Sequence, residues 1–117
     1  MDKINVLGTE YIIEFKPDEE VCKDMGVPVG DCGGYCNAYS HKIVISNLDK
    51  CEDGEEAKKA LQKENMRHEI THAFLNESGL GYNANGTECW AKNEEMVDWF
   101  AIQSPKIYKV FAELDLL

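Results

Sequence analysis

Long apolar runs are missing from this chain, and no stretch approaches the roughly 20 residues that a membrane-spanning helix needs. Met1-Asp2-Lys3 leads into alternating polar and apolar residues without a hydrophobic signal segment, so no secretory leader is expected. Positive charge is scarce as well: 12 Lys+Arg stand against 22 Asp+Glu, a net charge of −10. That balance argues against a nucleic-acid partner, which needs clustered Lys and Arg to displace counterions, and against an anionic membrane surface. The five cysteines (Cys22, Cys32, Cys36, Cys51, Cys89) contain no CxxC pair, and Cys32–Cys36 is their only close spacing. Neither a second metal site nor a disulfide framework is spelled out, and reduced thiols packed as small apolar residues are the expectation. Repeats, low-complexity tracts and linkers are absent too. The composition is ordinary for a globular protein, 44% hydrophobic and 29% charged, and the expectation is a cytoplasmic protein forming a single domain over 1–117.

The first third of the chain reads as β. Ile4 and Val6, a turn at Gly8-Thr9, then Tyr11, Ile13 and Phe15 give period-two alternation and predict a hairpin. Pro17 to Met25 predicts a short helix ended by Gly26, and the Gly/Pro-rich stretch Val27 to Gly34 a loop. Tyr35–Tyr39 and Lys42–Ser46 predict two short strands joined at Ser40-His41, with His41 an exposed turn residue. From about Asp53 the period changes. A helix is expected to run to about Ser78, with Gly79 as its left-handed cap. Met66, Ile70, Ala73 and Phe74 form one apolar stripe, and Ala57, Leu61, His68, His72 and Leu75 lie opposite, so this helix is expected to be sandwiched. After a Gly/Asn loop, a second helix is expected from about Thr87 to Gln103, with Asn85 and Glu88 as a capping-box-like start. Ser104-Pro105 then signals a third, burying Ile107, Val110, Phe111 and Leu114. The fold class is α+β: a small twisted, mainly antiparallel sheet packed on the central helix, with two further C-terminal helices.

The central helix carries His68-Glu69-Ile70-Thr71-His72. Histidines at i and i+4 differ by only ~40° around a helix, so both imidazoles can reach one metal ion. Glu69 lies ~100° round, beside such an ion, placed to take a proton from a water that zinc has acidified. With 3 histidines and 14 glutamates in the chain, chance gives H-E-x-x-H with a probability of about 1%. A catalytic zinc needs three protein ligands and one open position. The next helix offers Glu94 and Asp98, one turn apart on a face shared with Trp90 and Ala101. One of these carboxylates could complete the metal shell while the other accepts a hydrogen bond from a ligand histidine.

H-E-x-x-H followed about twenty residues on by N-E-x-x-x-D resembles the gluzincin metallopeptidases, the thermolysin-like clan. The small size, and Glu94 continuing into Val97-Asp98-Trp99-Phe100-Ala101, resemble the ImmA/IrrE-type minigluzincins of bacteria, phages and mobile elements. The resemblance is sharp from Arg67 to Ala101 and looser over Gly34 to Ser46. It implies Zn2+ held by His68, His72 and Glu94, Glu69 as general base and Asp98 behind a ligand histidine. It also implies an edge strand that holds an extended protein or peptide substrate, for which Gly34–Tyr39 is the candidate. No histidine follows His72, where many gluzincins keep an oxyanion-stabilising group. Tyr35, Tyr39 and Tyr82 are the candidates for that role. Helical geometry favours Glu94 over Glu95, because Glu95 points ~100° away and has Trp99, not a carboxylate, one turn on.

The function implied is zinc-dependent hydrolysis of a peptide bond in an intracellular protein, such as a repressor controlling a phage or mobile element. The same residues suit a zinc-bound interaction or regulatory protein without turnover. Both readings stay open at this point.

Overall fold

The structure, a computed structural model, describes residues 2–81, 90–115 and 117, without the side chains of Trp90 and Val110. Tyr82, Cys89 and the expected helix start at Asn85–Glu88 therefore lie outside the described residues. Strand β1 (Asp2–Val6) turns into β2 (Thr9–Lys16) through Leu7-Gly8, with φ of 51° and 95°. Two positive φ values in a two-residue loop make the turn whose twist matches antiparallel strands. Helix α1 (Asp18–Met25) follows and stops at Gly26, which takes the left-handed conformation at φ 70°. Strands β3 (Gly34–Asn37) and β4 (Lys42–Ser46) are joined by a turn that carries the exposed His41, and helix α2 spans Glu55–Glu77. A 3₁₀ turn (Trp90–Lys92) leads into helix α3 (Glu94–Glu113).

The four strands form one sheet in the order β1-β2-β4-β3. β1–β2 and β3–β4 are antiparallel, but the central pair β2–β4 is parallel, so the sheet is mixed rather than uniformly antiparallel in its middle. The reason is β3: α1 and the loop after it bring the chain to the finishing end of β2, and β3 then runs back so that β4 starts beside Ile12 and runs parallel to β2. The apolar run Ile43-Val44-Ile45 of β4 is buried on both faces. Ile43 and Ile45 join Val6, Tyr11, Ile13 and Ala73 of α2 in one cluster, with Met66 and Ile70 against it. Val44 joins Val21, Cys22 and Cys32 in another.

This second cluster corrects the expectation for the thiols: Cys22 and Cys32 form a disulfide that ties α1 to the loop before β3. Cys36 and Cys51 are free. The loop is held further by Asp18, whose buried carboxylate accepts hydrogen bonds from the Ser46 hydroxyl (2.9 Å) and the Gly30 amide (3.0 Å). Gly33 and Gly34 then let the chain pass close to its neighbours. A β-carbon on Gly34 would sit 2.4 Å from the Val44 carbonyl oxygen, and one on Gly33 2.4 Å from the Asn65 side chain of α2.

Two expectations about the helices need correction. The first turns of α2 stand in solvent, with Leu61 37% exposed, and Phe74 in its last turn is 40% exposed, so α2 is enclosed only over part of its surface. The second and third helices are one: α3 continues straight through Ser104-Pro105. Its described contacts are with α2 and the 3₁₀ turn, and Phe111 and Leu114 are exposed rather than buried.

Candidate metal centre

Helix α2 ends in a motif that satisfies its last carbonyls. The Gly79 amide donates to the Asn76 carbonyl (3.0 Å) and the Leu80 amide to the Leu75 carbonyl (3.1 Å), with Gly79 at φ 85°. Helix α3 begins at Asn93, whose side-chain oxygen accepts from the Met96 amide (2.9 Å) while its carbonyl accepts from the Val97 amide (3.0 Å). Asn93 is thus the N-cap and Glu94 the first helical residue. Asn-Glu-Glu at 93–95 is itself a cap followed by first-turn acids, the sequence signal for this start. Glu94 and Asp98, one turn apart, thereby come to face α2.

What they face is the histidine pair. His68 Nε2 and His72 Nε2 are 3.1 Å apart; Glu94 Oε2 lies 3.2 Å from the first and Glu94 Oε1 2.9 Å from the second. The far ring nitrogens are both engaged: His68 Nδ1 with Asp98 Oδ1 at 2.6 Å, and His72 Nδ1 with the Ala91 carbonyl. A carboxylate and a backbone carbonyl can only accept hydrogen bonds, so both Nδ1 atoms carry the hydrogen. In neutral imidazoles that leaves both Nε2 atoms as lone pairs, aimed at each other and at a carboxylate. Acceptors converging this way repel unless a cation lies among them. His68, His72 and Glu94 are accordingly a group that could hold a metal ion. Glu95 is exposed and outside it.

Glu69 is buried beside this cluster, at 7% exposure, with its Oε1 3.8 Å from His68 Nε2. Burial pushes its carboxyl up to about 7; His68 opposes the rise, and the negative charges of Glu94 and Asp98 add to it. The cluster opens onto a cleft of ≈ 570 Å³, walled on the opposite side by Gly34, Tyr35 and Cys36 of β3. β3 is an edge strand of the sheet, and Ala38–Tyr39 of the expected strand fall in the turn beyond it.

Of the expected tyrosines, Tyr35 lines the cleft, but its hydroxyl donates to Asp24 (2.9 Å), and burial followed by that carboxylate raises its pKa. Tyr39 is 82% exposed and lines an adjoining depression instead. Tyr82 lies outside the described residues. Cys36, on β3, has its thiol pushed up to about 12 by burial, with Glu69 and Glu77 adding. Among the cleft and site residues unread in the sequence are Asn65, Asn76 and Lys92, which line the cleft, and Ala91, whose carbonyl orients His72. Asn65 and Asn76 could have been found, since they lie one turn before Glu69 and one turn after His72. A backbone carbonyl leaves no trace in residue type. Comparison with protein-family models, with curated proteins and with solved structures found no match.

Proposed function

We propose that this chain is a zinc-dependent metallopeptidase that hydrolyses a peptide bond in an intracellular protein substrate. The observation that carries the reading is the convergence of two Nε2 lone pairs and the Glu94 carboxylate on one point, with each ring fixed from behind by Asp98 or the Ala91 carbonyl. Atoms bound tetrahedrally at 2.0–2.2 Å lie roughly 3.3–3.6 Å apart, and the observed 2.9–3.2 Å spacings need only a small opening to reach that. The donor set of two imidazoles and one carboxylate suits zinc and leaves a fourth position for water or substrate.

When bound, zinc would polarise the scissile carbonyl and acidify the attacking water. Glu69, buried beside the cluster, accepts that water's proton and passes it to the leaving amine. Asp98 and the Ala91 carbonyl hold the two rings in the tautomer that presents Nε2. The backbone of β3, an open sheet edge along the cleft, pairs with an extended substrate segment. Packing of Met66, Ile70 and Ala73 against the sheet supports a minimal gluzincin-like arrangement. The resemblance to ImmA/IrrE-type minigluzincins supports a cytoplasmic setting and a regulatory protein of a phage or mobile element as substrate. In that compartment the Cys22–Cys32 bridge would be exposed to reduction.

One observation favours the second reading, a zinc-bound interaction or regulatory domain: the Tyr35 hydroxyl is engaged by Asp24 rather than turned to the cluster. Glu69→Gln separates the two. The variant is nearly isosteric, should retain zinc and capture a binding partner; that partner should be cleaved by unmodified protein and left intact by the variant. A captured partner that unmodified protein leaves whole would favour the interaction reading.

A further inference from the structure

Resting on the metal reading above, we infer that Arg67 is a positioning residue for the centre, acting through the backbone carbonyl that Pro105 leaves free on α3. A proline inside a helix has no N–H, so the carbonyl four residues earlier loses its helical partner. Here that carbonyl belongs to Ala101, and Ala101 is 1% exposed, so water is a poor substitute. A buried carbonyl without a partner costs about as much as a lost hydrogen bond. The Nε–H of Arg67 fills the vacancy at 2.6 Å, a charge-assisted bond from α2 to α3.

Its position gives that bond a consequence for the metal. Arg67 precedes His68 directly, and its own carbonyl accepts a hydrogen bond from the Thr71 hydroxyl (2.7 Å), within the same turn of α2. On α3, Glu94, Asp98 and Ala101 fall within ~60° of one another around the helix. Pinning the Ala101 carbonyl to Arg67 therefore fixes the rotation of the face that carries Glu94 and Asp98. Asp98 and Glu94 are more than half exposed, with side-chain exposures of 58% and 62%, so burial alone does little to set their direction. Pro105 and Arg67 work as a pair: the proline opens a backbone acceptor at a chosen level of α3, and the arginine docks it.

The pairing makes a specific test possible. Arg67→Met removes the donor while keeping the aliphatic stem, and Pro105→Ala restores an N–H that can reclaim the Ala101 carbonyl within the helix. Co2+ is titrated into metal-free unmodified protein, R67M, P105A and the double variant. Affinity and the visible ligand-field bands are read together, with circular dichroism alongside. R67M should lose ~10–100-fold in affinity, the range for losing a group that orients a metal ligand. It should also alter the bands, which a purely structural role would leave alone. Because docking to α2 is lost either way, P105A should not rescue the R67M bands, yet it should restore the fold wherever R67M alone is poorly folded. Unchanged affinity and bands in R67M would overturn the inference, as would a double variant that stays unfolded, since the carbonyl would then not be what Arg67 serves. A protein that takes up no Co2+ at all would overturn the metal reading itself, a different result from uptake that ignores Arg67.

Discussion

Replacing Asp98 by Asn changes one oxygen to nitrogen and removes one charge. Asp98 Oδ1 stands 2.6 Å from His68 Nδ1 and holds that ring in the tautomer that offers Nε2 to the centre. Hydrogen bonds to charged groups contribute about 1.5–3 kcal/mol. The Asp98 side chain is 58% exposed, so solvent screening places the loss near the low end, about 1.5–2 kcal/mol. At about 1.4 kcal/mol per tenfold, that corresponds to a weakening of zinc binding by roughly 10–30-fold. The assay is competition for zinc against a chromophoric chelator, with circular dichroism showing that the variant is folded. Glu94→Ala, which removes a ligand, should weaken binding by orders of magnitude, and Glu95→Ala should leave it unchanged. Zinc affinity insensitive to Asp98→Asn, or a loss on Glu95→Ala instead, would refute this account of how α3 completes the site.

Glu69→Gln should keep the fold and one zinc per chain while abolishing cleavage of a captured substrate, because glutamine cannot accept the water's proton. Cys22→Ser with Cys32→Ser should lower stability by about 2–3 kcal/mol in chemical denaturation, from loss of a bridge closing a short loop, while zinc stoichiometry stays near one. Glu77 accepts hydrogen bonds from the Tyr11 hydroxyl (2.7 Å) and the Thr9 hydroxyl (2.9 Å), which lower its pKa below the ordinary 4.5 in that order of importance. Its contribution to stability is present above that value and lost as pH falls through the lower folded pKa. Glu77→Gln should therefore flatten the fall of stability in acid, and an unchanged acid limb in a pH series of denaturation curves would contradict the assignment.

The elements that could be read from sequence are those whose signals are local. Gly8 marks the hairpin turn, Gly26 stops α1, and Ile43-Val44-Ile45 announces a strand buried on both faces. The histidine pair is local in the same sense, since helical spacing alone puts His68 and His72 side by side. Ser104-Pro105 shows where local signals fail: it has the pattern of a helix start, yet a bond from Arg67, more than thirty residues earlier, satisfies the carbonyl the proline leaves free and the helix runs on. The parallel β2–β4 pair and the Cys22–Cys32 bridge are long-range in the same way, because each depends on where α1 and the following loop return the chain. Leu61 and Phe74 have the spacing of buried residues, but spacing says nothing about how far a neighbouring layer extends, and no described element covers them.

The most direct test is the metal content of purified, reloaded protein, measured by elemental analysis beside circular dichroism. Unmodified protein should hold about one zinc per chain, and a folded His68→Ala, His72→Ala double variant should hold none. Full zinc retention in that folded double variant would contradict the account.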